Sequence, residues 1–502
     1  MIIFVTSSLM ILFLLLIWKI RHSIYNSDPL RNFSKTATPL LRHGFDLAFM
    51  NREQLFAYTR ACAEKFKKSY RRSLFFVTTY SIVRAKDAEK ILGSSKHIDK
   101  SDIYKIIHPF LNTGLLTSGG EKWHTRRRML TPAFHFNILK EFCEIFKEEG
   151  DKLIELIKTK CGQTVNIIPI STQFTLNTIC ESAMGVKLSD LGNDGIIYRN
   201  NIYKIGKFMV HRLIQPWLHF DFIYTLFGYQ KEFQRLLKSA HDFTQTIIDK
   251  RRKEFKSNHY MTMIKDENEN IYMSSKKKRY AMMDTLLQAQ SEGLIDDEGI
   301  REETDTFTFE GHDTGSACMS FTLLLLAHHP EVQDKLFEEI QEVSYRKNDL
   351  TLEDFNKMNY MERVLKESLR IYPPVHFISR KFNEDVTIDE ITYKKNSIIE
   401  IYIYDIHRDP AYFPDPEKFD PDRFLPENSY ERNNFAFVAF SAGMRNCIGQ
   451  RFAMLELKVM LTKIIQNFKI HPITKRQDLI FISDLVLRTK NPIEMKFEQR
   501  KI

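Results

Sequence analysis

The chain changes its rhythm of apolar and polar residues several times, and each change predicts an element. Met1 to Trp18 carries no charge and is dominated by Ile, Leu, Phe and Met, which as a helix extends about 27 Å, close to the thickness of a bilayer core. Lys19, Arg21 and His22 follow at once, with no basic segment before the run and no small-residue cleavage site after it. Residues 1–20 therefore read as an uncleaved membrane anchor whose C-terminal side is cytosolic, with a cleaved signal peptide as the alternative. Residues 21–50, broken only by Pro29 and Pro39, are the expected linker, and 51–502 the expected single catalytic domain.

Within that domain Asn51 to Tyr70 has helical periodicity, and Ser73 to Val83 is rich in strand formers. Long amphipathic helices are predicted near 136–160, 169–184, 230–256, 297–328 and 330–344. Ser257 to Arg279, ending in Lys276-Lys-Lys-Arg279, is polar and aperiodic and reads as a solvated loop. Strand character returns between 375 and 403. A proline-punctuated stretch from Asp409 to Asn428 then leads into a glycine-bounded loop before a last helix, from Ile448 to about Asn467. The predicted fold class is mainly α with a minor β region.

Composition narrows the picture. The 502 residues include 39 Phe and are 43% hydrophobic, ample for one large core. Net charge is +9, but the basic residues are spread along the chain without the concentrated stripe that nucleic-acid binding wants. The six cysteines (62, 143, 161, 180, 318, 447) show no paired spacing and read as reduced thiols facing the cytosol.

One of them stands apart. Phe440-Ser-Ala-Gly443-Met-Arg445-Asn-Cys447-Ile-Gly449 places a single thiol just before a helix N-terminus, where the macrodipole is expected to favour the thiolate, while the glycines let backbone approach a flat ligand closely. One thiolate is too few ligands for a structural zinc or an iron–sulfur cluster, but it suits a metal already held by a macrocycle. Against this stands the ordinary role of a lone Cys as a small buried hydrophobe. This loop resembles the cysteine loop of the cytochrome P450 superfamily, the haem-thiolate monooxygenases, matching it at Phe440, Gly443, Arg445, Cys447 and Gly449. Met444 stands where the animal members usually carry proline.

The resemblance runs over nearly the whole chain and implies the P450 fold, with haem (iron protoporphyrin IX) as cofactor and Cys447 as its axial ligand. Glu367 and Arg370, on one face of the helical run Glu362 to Ile371, resemble with Arg423 the family's buried Glu-Arg-Arg triad, a structural lock on the proximal side. Trp123-His-Thr-Arg-Arg127 resembles its W-x-x-x-R motif, so Trp123 and Arg127 are implied haem-propionate partners, with Arg380 and Arg445 beside them. Arg126 and Arg128 remain alternatives to Arg127.

On the distal side Glu310-Gly-His-Asp313-Thr314-Gly lies inside a long apolar helix, with Glu310, Asp313 and Thr314 on one face. Buried acids and hydroxyls are costly unless they have partners or work to do. The work fits a reaction that needs protons delivered to the distal side: Thr314 donates and Asp313 replenishes from solvent. Gly311 and Gly315 suggest a local opening of the helix, and the alternative for Thr314 is a bond back to the preceding turn. This string, with Leu176-Asn-Thr-Ile-Cys180-Glu-Ser-Ala-Met-Gly185 and Thr131-Pro-Ala-Phe-His-Phe136, resembles family four of the superfamily, insect members above all. Gly315 replaces a second Thr often found there.

Resemblance to that family implies terminal hydroxylation of fatty acids, or hormone or xenobiotic metabolism, at the endoplasmic reticulum membrane. Electrons are implied to come from an NADPH-dependent flavoprotein reductase, with cytochrome b5 as a second partner, since the chain has no flavin or nicotinamide fingerprint. In some members the acid at the position of Glu310 forms an ester with a haem methyl; an unbonded glutamate is the other outcome. Two other classes are weighed: a haem-thiolate isomerase or dehydratase needing no reductase, and a non-catalytic haem- or lipid-binding membrane protein.

Overall fold

A computed structural model of the chain describes residues 47–500 apart from 48, 75–76, 267–281, 348 and 389–390. The anchor expected at 1–20, most of the linker at 21–50 and the basic run at 276–279 lie outside the described residues. Among the described residues no helix is long and apolar enough to cross a membrane.

Eleven helices frame the argument: α1 (Arg52–Phe66), α2 (Ala85–Leu92), α3 (Gly120–Leu130), α4 (Phe136–Lys158), α5 (Ile167–Ser182), α6 (Asp194–Ile214), α7 (Tyr229–Asp266), α8 (Asp297–Ala327), α9 (Pro330–Ser344), α10 (Asn359–Ile371) and α11 (Gln450–Asn467). The largest sheet has the order β1 (Tyr70–Leu74), β2 (Val77–Ile82), β4 (Ile398–Ile401), β3 (Ile378–Lys381). β2 and β4 run parallel, with Ile82 opposite Ile401, whereas β3 returns antiparallel and sets Arg380 opposite Ile399. A short pair near the C-terminus, β5 (Phe481–Ile482) and β6 (Arg488–Thr489), closes the set.

α8 is the axis of the molecule. The Asp296 side chain caps it by accepting from the Gly299 N–H at 2.8 Å, and Asp297 and Glu298 complement the dipole in its first turn. It then runs unbroken for 31 residues, buried on almost every side, and stops before His328-His329-Pro330. The local opening expected at Gly311 and Gly315 does not occur. These glycines instead let neighbouring elements close in: a Cβ at 311 would come within 2.6 Å of Ile179 on α5, and one at 315 within 3.0 Å of Glu456 Oε2 on α11.

One further expectation is corrected, and one helix is new. α7 continues to Asp266, ten residues into the segment read as a loop, because no proline or glycine interrupts Ser257 to Asp266. α6 was not foreseen; its inward positions Tyr198, Ile202, Ile205 and Met209 are buried, but polar residues interleave them and blur the stripe.

Candidate functional site

The site is a cavity of about 370 Å³ between α8 and the cysteine loop. Cys447, Phe440, Gly449 and Ala453 lie on its proximal wall, and Thr306, Phe307, Glu310, Gly311, Thr314 and Gly315 of α8 on its distal wall. Most other walls are apolar, supplied by residues such as Ile103, Leu116, Met209, Val210 and Leu485.

The cysteine loop is seated by backbone. The Cys447 N–H donates to the Phe440 carbonyl at 2.9 Å, and Gly443 takes φ +68° against the C-terminus of α2, where a Cβ would run into the carbonyl oxygen of Leu92. Gly443 is thus required by a protein neighbour. The accessible surface of Cys447 faces the cavity rather than bulk water. Burial accordingly pushes its thiol up to about 11, more than the Gly449 N–H and Arg127 bring it down, and Glu310 adds to the rise. Desolvation thus outweighs the backbone N–H at the start of the helix, which begins at Gln450.

Behind the loop, Glu367 and Arg370 are fully buried and paired twice, at 2.7 Å each. Arg370 also donates to the carbonyls of His407 and Lys418, at 3.0 and 3.2 Å. Arg423 approaches Glu367 at 3.4 Å, and the Asp420 N–H donates to the same carboxylate at 3.0 Å. The imidazole of His407 accepts from the Val438 N–H at 2.9 Å, so the lock reaches the strand of chain entering the cysteine loop.

The cations collect at one edge. Trp123 is buried on the cavity wall, and the Arg445 guanidinium lies 4.7 Å over its ring. Arg127 donates to the Asn446 carbonyl at 2.8 Å and to its side chain at 2.7 Å. Arg126 is instead buried beside Glu302 and Glu303, and Arg128 is exposed, which leaves Arg127 as the arginine of this helix on the cavity. Arg380, delivered by β3, is buried just outside the lining and bonds the Ser379 carbonyl at 3.1 Å. Arg445 spends its two terminal nitrogens on the Leu115 and Ser118 carbonyls, and its Nε has no partner. Burial and the nearby Arg380 together push Arg445 down to about 9.

Lys100, which sequence reasoning missed, joins them on the wall 3.4 Å from the Tyr104 hydroxyl. Burial, then Arg380 and Arg445, depress it strongly. Its signal was absent from any local motif; only the fold brings it to these arginines. Buried cations with no carboxylate in pairing distance among the described residues are costly, and a flat group carrying two carboxylates on one edge would relieve them. Among the described residues no three His, Cys, Asp or Glu side chains gather around a metal, so a metal at Cys447 has to arrive with its other ligands. The residues present fit haem.

The distal acids separate. Glu310 faces the cavity, and burial pushes it up to about 7 against the pull of Lys100. Thr314 also lines the cavity, and its hydroxyl donates to the Glu310 carbonyl at 2.8 Å, the backbone bond weighed as the alternative. Asp313 is not on the cavity wall. Its carboxylate turns away and pairs with Arg488 at 2.7 Å, wholly buried, so the expected face of three groups holds only two. Helical spacing gave the i, i+3 proximity but not the pull of an arginine from the far end of the chain.

The comparisons agree with this geometry. The Cytochrome P450 family model matches residues 34–497. Probable cytochrome P450 4ac2 of Drosophila melanogaster is 46% identical over 460 residues, covering 91% of this chain and 88% of the relative. Probable cytochrome P450 4p3 of the same organism is 40% identical, covering 92% and 90%, and cytochrome P450 4V2 of Mus musculus is 40% identical, covering 92% and 89%. The chain belongs to the cytochrome P450 family, among its family-four members, and is a haem monooxygenase acting on lipophilic substrates.

Proposed function

We propose that the enzyme hydroxylates the terminal carbon of a fatty acid or a similar long apolar chain at the endoplasmic reticulum membrane, with residues 51–502 as one catalytic domain behind an anchor at 1–20. The carrying observation is a cavity with a thiol on one wall, a glutamate and a threonine opposite, and apolar sides. Haem bound there supplies dioxygen activation and insertion of one oxygen atom into a C–H bond, the other leaving as water.

Cys447, deprotonated, would hold the haem iron as a thiolate, and Phe440 and Gly443 would hold its loop. Arg127, Arg380 and Arg445 would neutralise the propionates, with Trp123 beside them as an N–H donor. Thr314, rotated off the Glu310 carbonyl, would hand protons to the distal side, and Asp313 would serve as their source once its carboxylate leaves Arg488. Glu310, on the distal wall, would form an ester with a haem methyl during turnover, its carboxylate oxygen replacing one methyl hydrogen while the two electrons released reduce an activated oxygen atom to water. Electrons come from an NADPH-dependent flavoprotein reductase, with cytochrome b5 as a second donor.

The membrane seat is supported by a group of largely exposed apolar side chains, Phe49, Phe220, Phe222, Leu226 and Phe227. Phe49 meets Trp217 with ring centroids 5.4 Å apart. The group adjoins the C-terminal end of α6, whose Met209, Val210 and Leu213 line the cavity, so an apolar substrate can enter from lipid.

The deciding experiment is product analysis with reductase, NADPH and a panel of fatty acids. A terminally hydroxylated acid is expected, and turnover without any terminal product overturns the regiochemistry. Cys447→His, run in parallel, is expected to abolish the red-shifted Soret band of the ferrous carbonyl complex; if that band survives, another residue is the ligand. Acid denaturation after turnover tests the ester, with haem expected to stay on the wild type and leave Glu310→Ala.

A further inference from the structure

One face of α6 rests on the loop between β5 and β6. Tyr203, Gly206, Met209, Val210 and Leu213 follow at helical spacing and so lie on the same side of the helix. The Arg488 guanidinium lies 3.9 Å over the Tyr203 ring. Gly206 is buried and approaches Asp484 so closely that a Cβ there would strike the carboxylate. Met209, Val210 and Leu213 line the cavity, and so do Ser483, Asp484 and Leu485 of the loop. Helix and loop are therefore two sides of one slot in the cavity wall, and Gly206 is where the first settles on the second. A glycine inside a 21-residue helix is ordinarily a loss of stability, and here close approach gives the reason for it.

The loop is the fixed side of the slot. Asp484 pairs with Arg52 at the start of α1, lies 3.2 Å from Arg488 Nε and accepts from the Leu485 N–H at 2.7 Å. The Ser483 N–H donates to the Arg52 carbonyl at 2.9 Å, and its own carbonyl accepts from Arg52 Nε at 2.8 Å. The Leu487 N–H donates to the Pro374 carbonyl at 2.7 Å. A buried carboxylate with two guanidinium partners does not swing aside without stranding charge. A side chain at position 206 would therefore lift α6, because a close-packed interior answers an added methyl group with backbone shifts.

We propose that Gly206 is a specificity-determining residue: having no side chain, it lets α6 down onto Asp484 and holds the slot between Val210, Leu213 and Leu485 to the girth of one unbranched chain. The identity of the occupant rests on the reading of the cavity as a site for a long apolar chain. The width itself rests on the approach of Gly206 to Asp484.

Binding tests this without turnover. The haem-loaded full chain is titrated, following the Soret shift, with free imidazole, with imidazole bearing an unbranched dodecyl chain, and with imidazole bearing a 3,7,11-trimethyldodecyl chain. All three reach the metal through the same ring, and the two chains differ in girth but not in length. The wild type is expected to bind the unbranched compound about tenfold more tightly than the branched one, although the branched one is the more apolar. Gly206→Ala is expected to abolish that preference by tightening the branched compound, with free imidazole unchanged. Leu485→Ala, which trims the opposite side of the slot, is expected to act in the same direction. Gly195→Ala, on the same helix but away from the cavity lining, is expected to leave the ratio at its wild-type value.

A ratio that Gly206→Ala leaves unchanged, or a loss of affinity for all three compounds alike, overturns the proposal. Where Gly206→Ala loads haem poorly, Leu485→Ala decides, and a ratio still at the wild-type value overturns it. The two readings fail differently. If the cavity takes no long chain, neither chain adds affinity over free imidazole, which removes the occupant and the proposal together. If only the role of Gly206 is wrong, both chains add affinity and their ratio ignores the substitution.

Discussion

Thr314 faces two ways: its hydroxyl lines the cavity and also donates to the Glu310 carbonyl one turn back. A hydroxyl has one proton to give and two lone pairs to offer, so delivery requires rotation away from that carbonyl. Thr314→Ala is expected to load haem normally while product formed per NADPH falls several-fold, and Thr314→Ser to recover most of the loss. Coupling that stays tight in the alanine variant would reduce Thr314 to a backbone role. The same scale shows what sequence can and cannot convey. Cys447, Glu367 with Arg370, and Trp123 with Arg127 were legible because each pattern lies within one loop or helix. Arg488 and Lys100 were not, since their partners are far away along the chain, 175 residues in the case of Arg488 and Asp313. Spacing named Asp313 correctly as a neighbour of Thr314 but could not say which way its carboxylate turns.

Among the elements, α5, α8 and α11 meet at Glu456, which is buried, accepts from Thr178 on α5 and lies close to Gly315 on α8. Burial pushes its carboxyl up to about 8 although the Thr178 hydroxyl opposes the shift. Because the folded value lies above that of the unfolded chain, near 4.5, the stability it contributes is fully present below about pH 4.5 and is lost as pH rises through about 8. Relative to Glu456→Gln, the wild type is expected to lose on the order of a few kcal/mol between about pH 5 and about pH 9. Thermal midpoints of the two proteins across that range check it, and parallel curves would show that the carboxyl ionises freely. Helix existence at this junction was readable from periodicity. The close approach was not, because a glycine in a sequence does not say which neighbour it admits.

For the whole molecule, the buried Glu367–Arg370 pair joins α10 to the proline-rich stretch and, through His407, to the chain entering the cysteine loop. Removing one partner of such a pair leaves a buried charge unmatched, at a cost of about 3–5 kcal/mol. Arg370→Ala is therefore expected to fold poorly and retain little haem, and Glu367→Gln to lose haem faster than wild type on dilution into apomyoglobin. Unchanged release from both variants would mean that the lock does not bear on the proximal loop. The predicted fold class, mainly α with a small sheet, followed from pattern alone, whereas the union of the sheet with the cysteine loop depended on contacts that only the assembled chain makes.

Leu92, whose carbonyl leaves no room for a side chain at Gly443, leaves the ribosome long before the cysteine that it helps to seat, which lies far downstream in the chain. A nascent chain therefore has its docking surface long before it has its ligand, and the prosthetic group can be captured only after Cys447 has emerged. Haem supply then acts on chains that already carry Cys447, and a product that lacks Leu92 or ends before Cys447 has no complete seat for it.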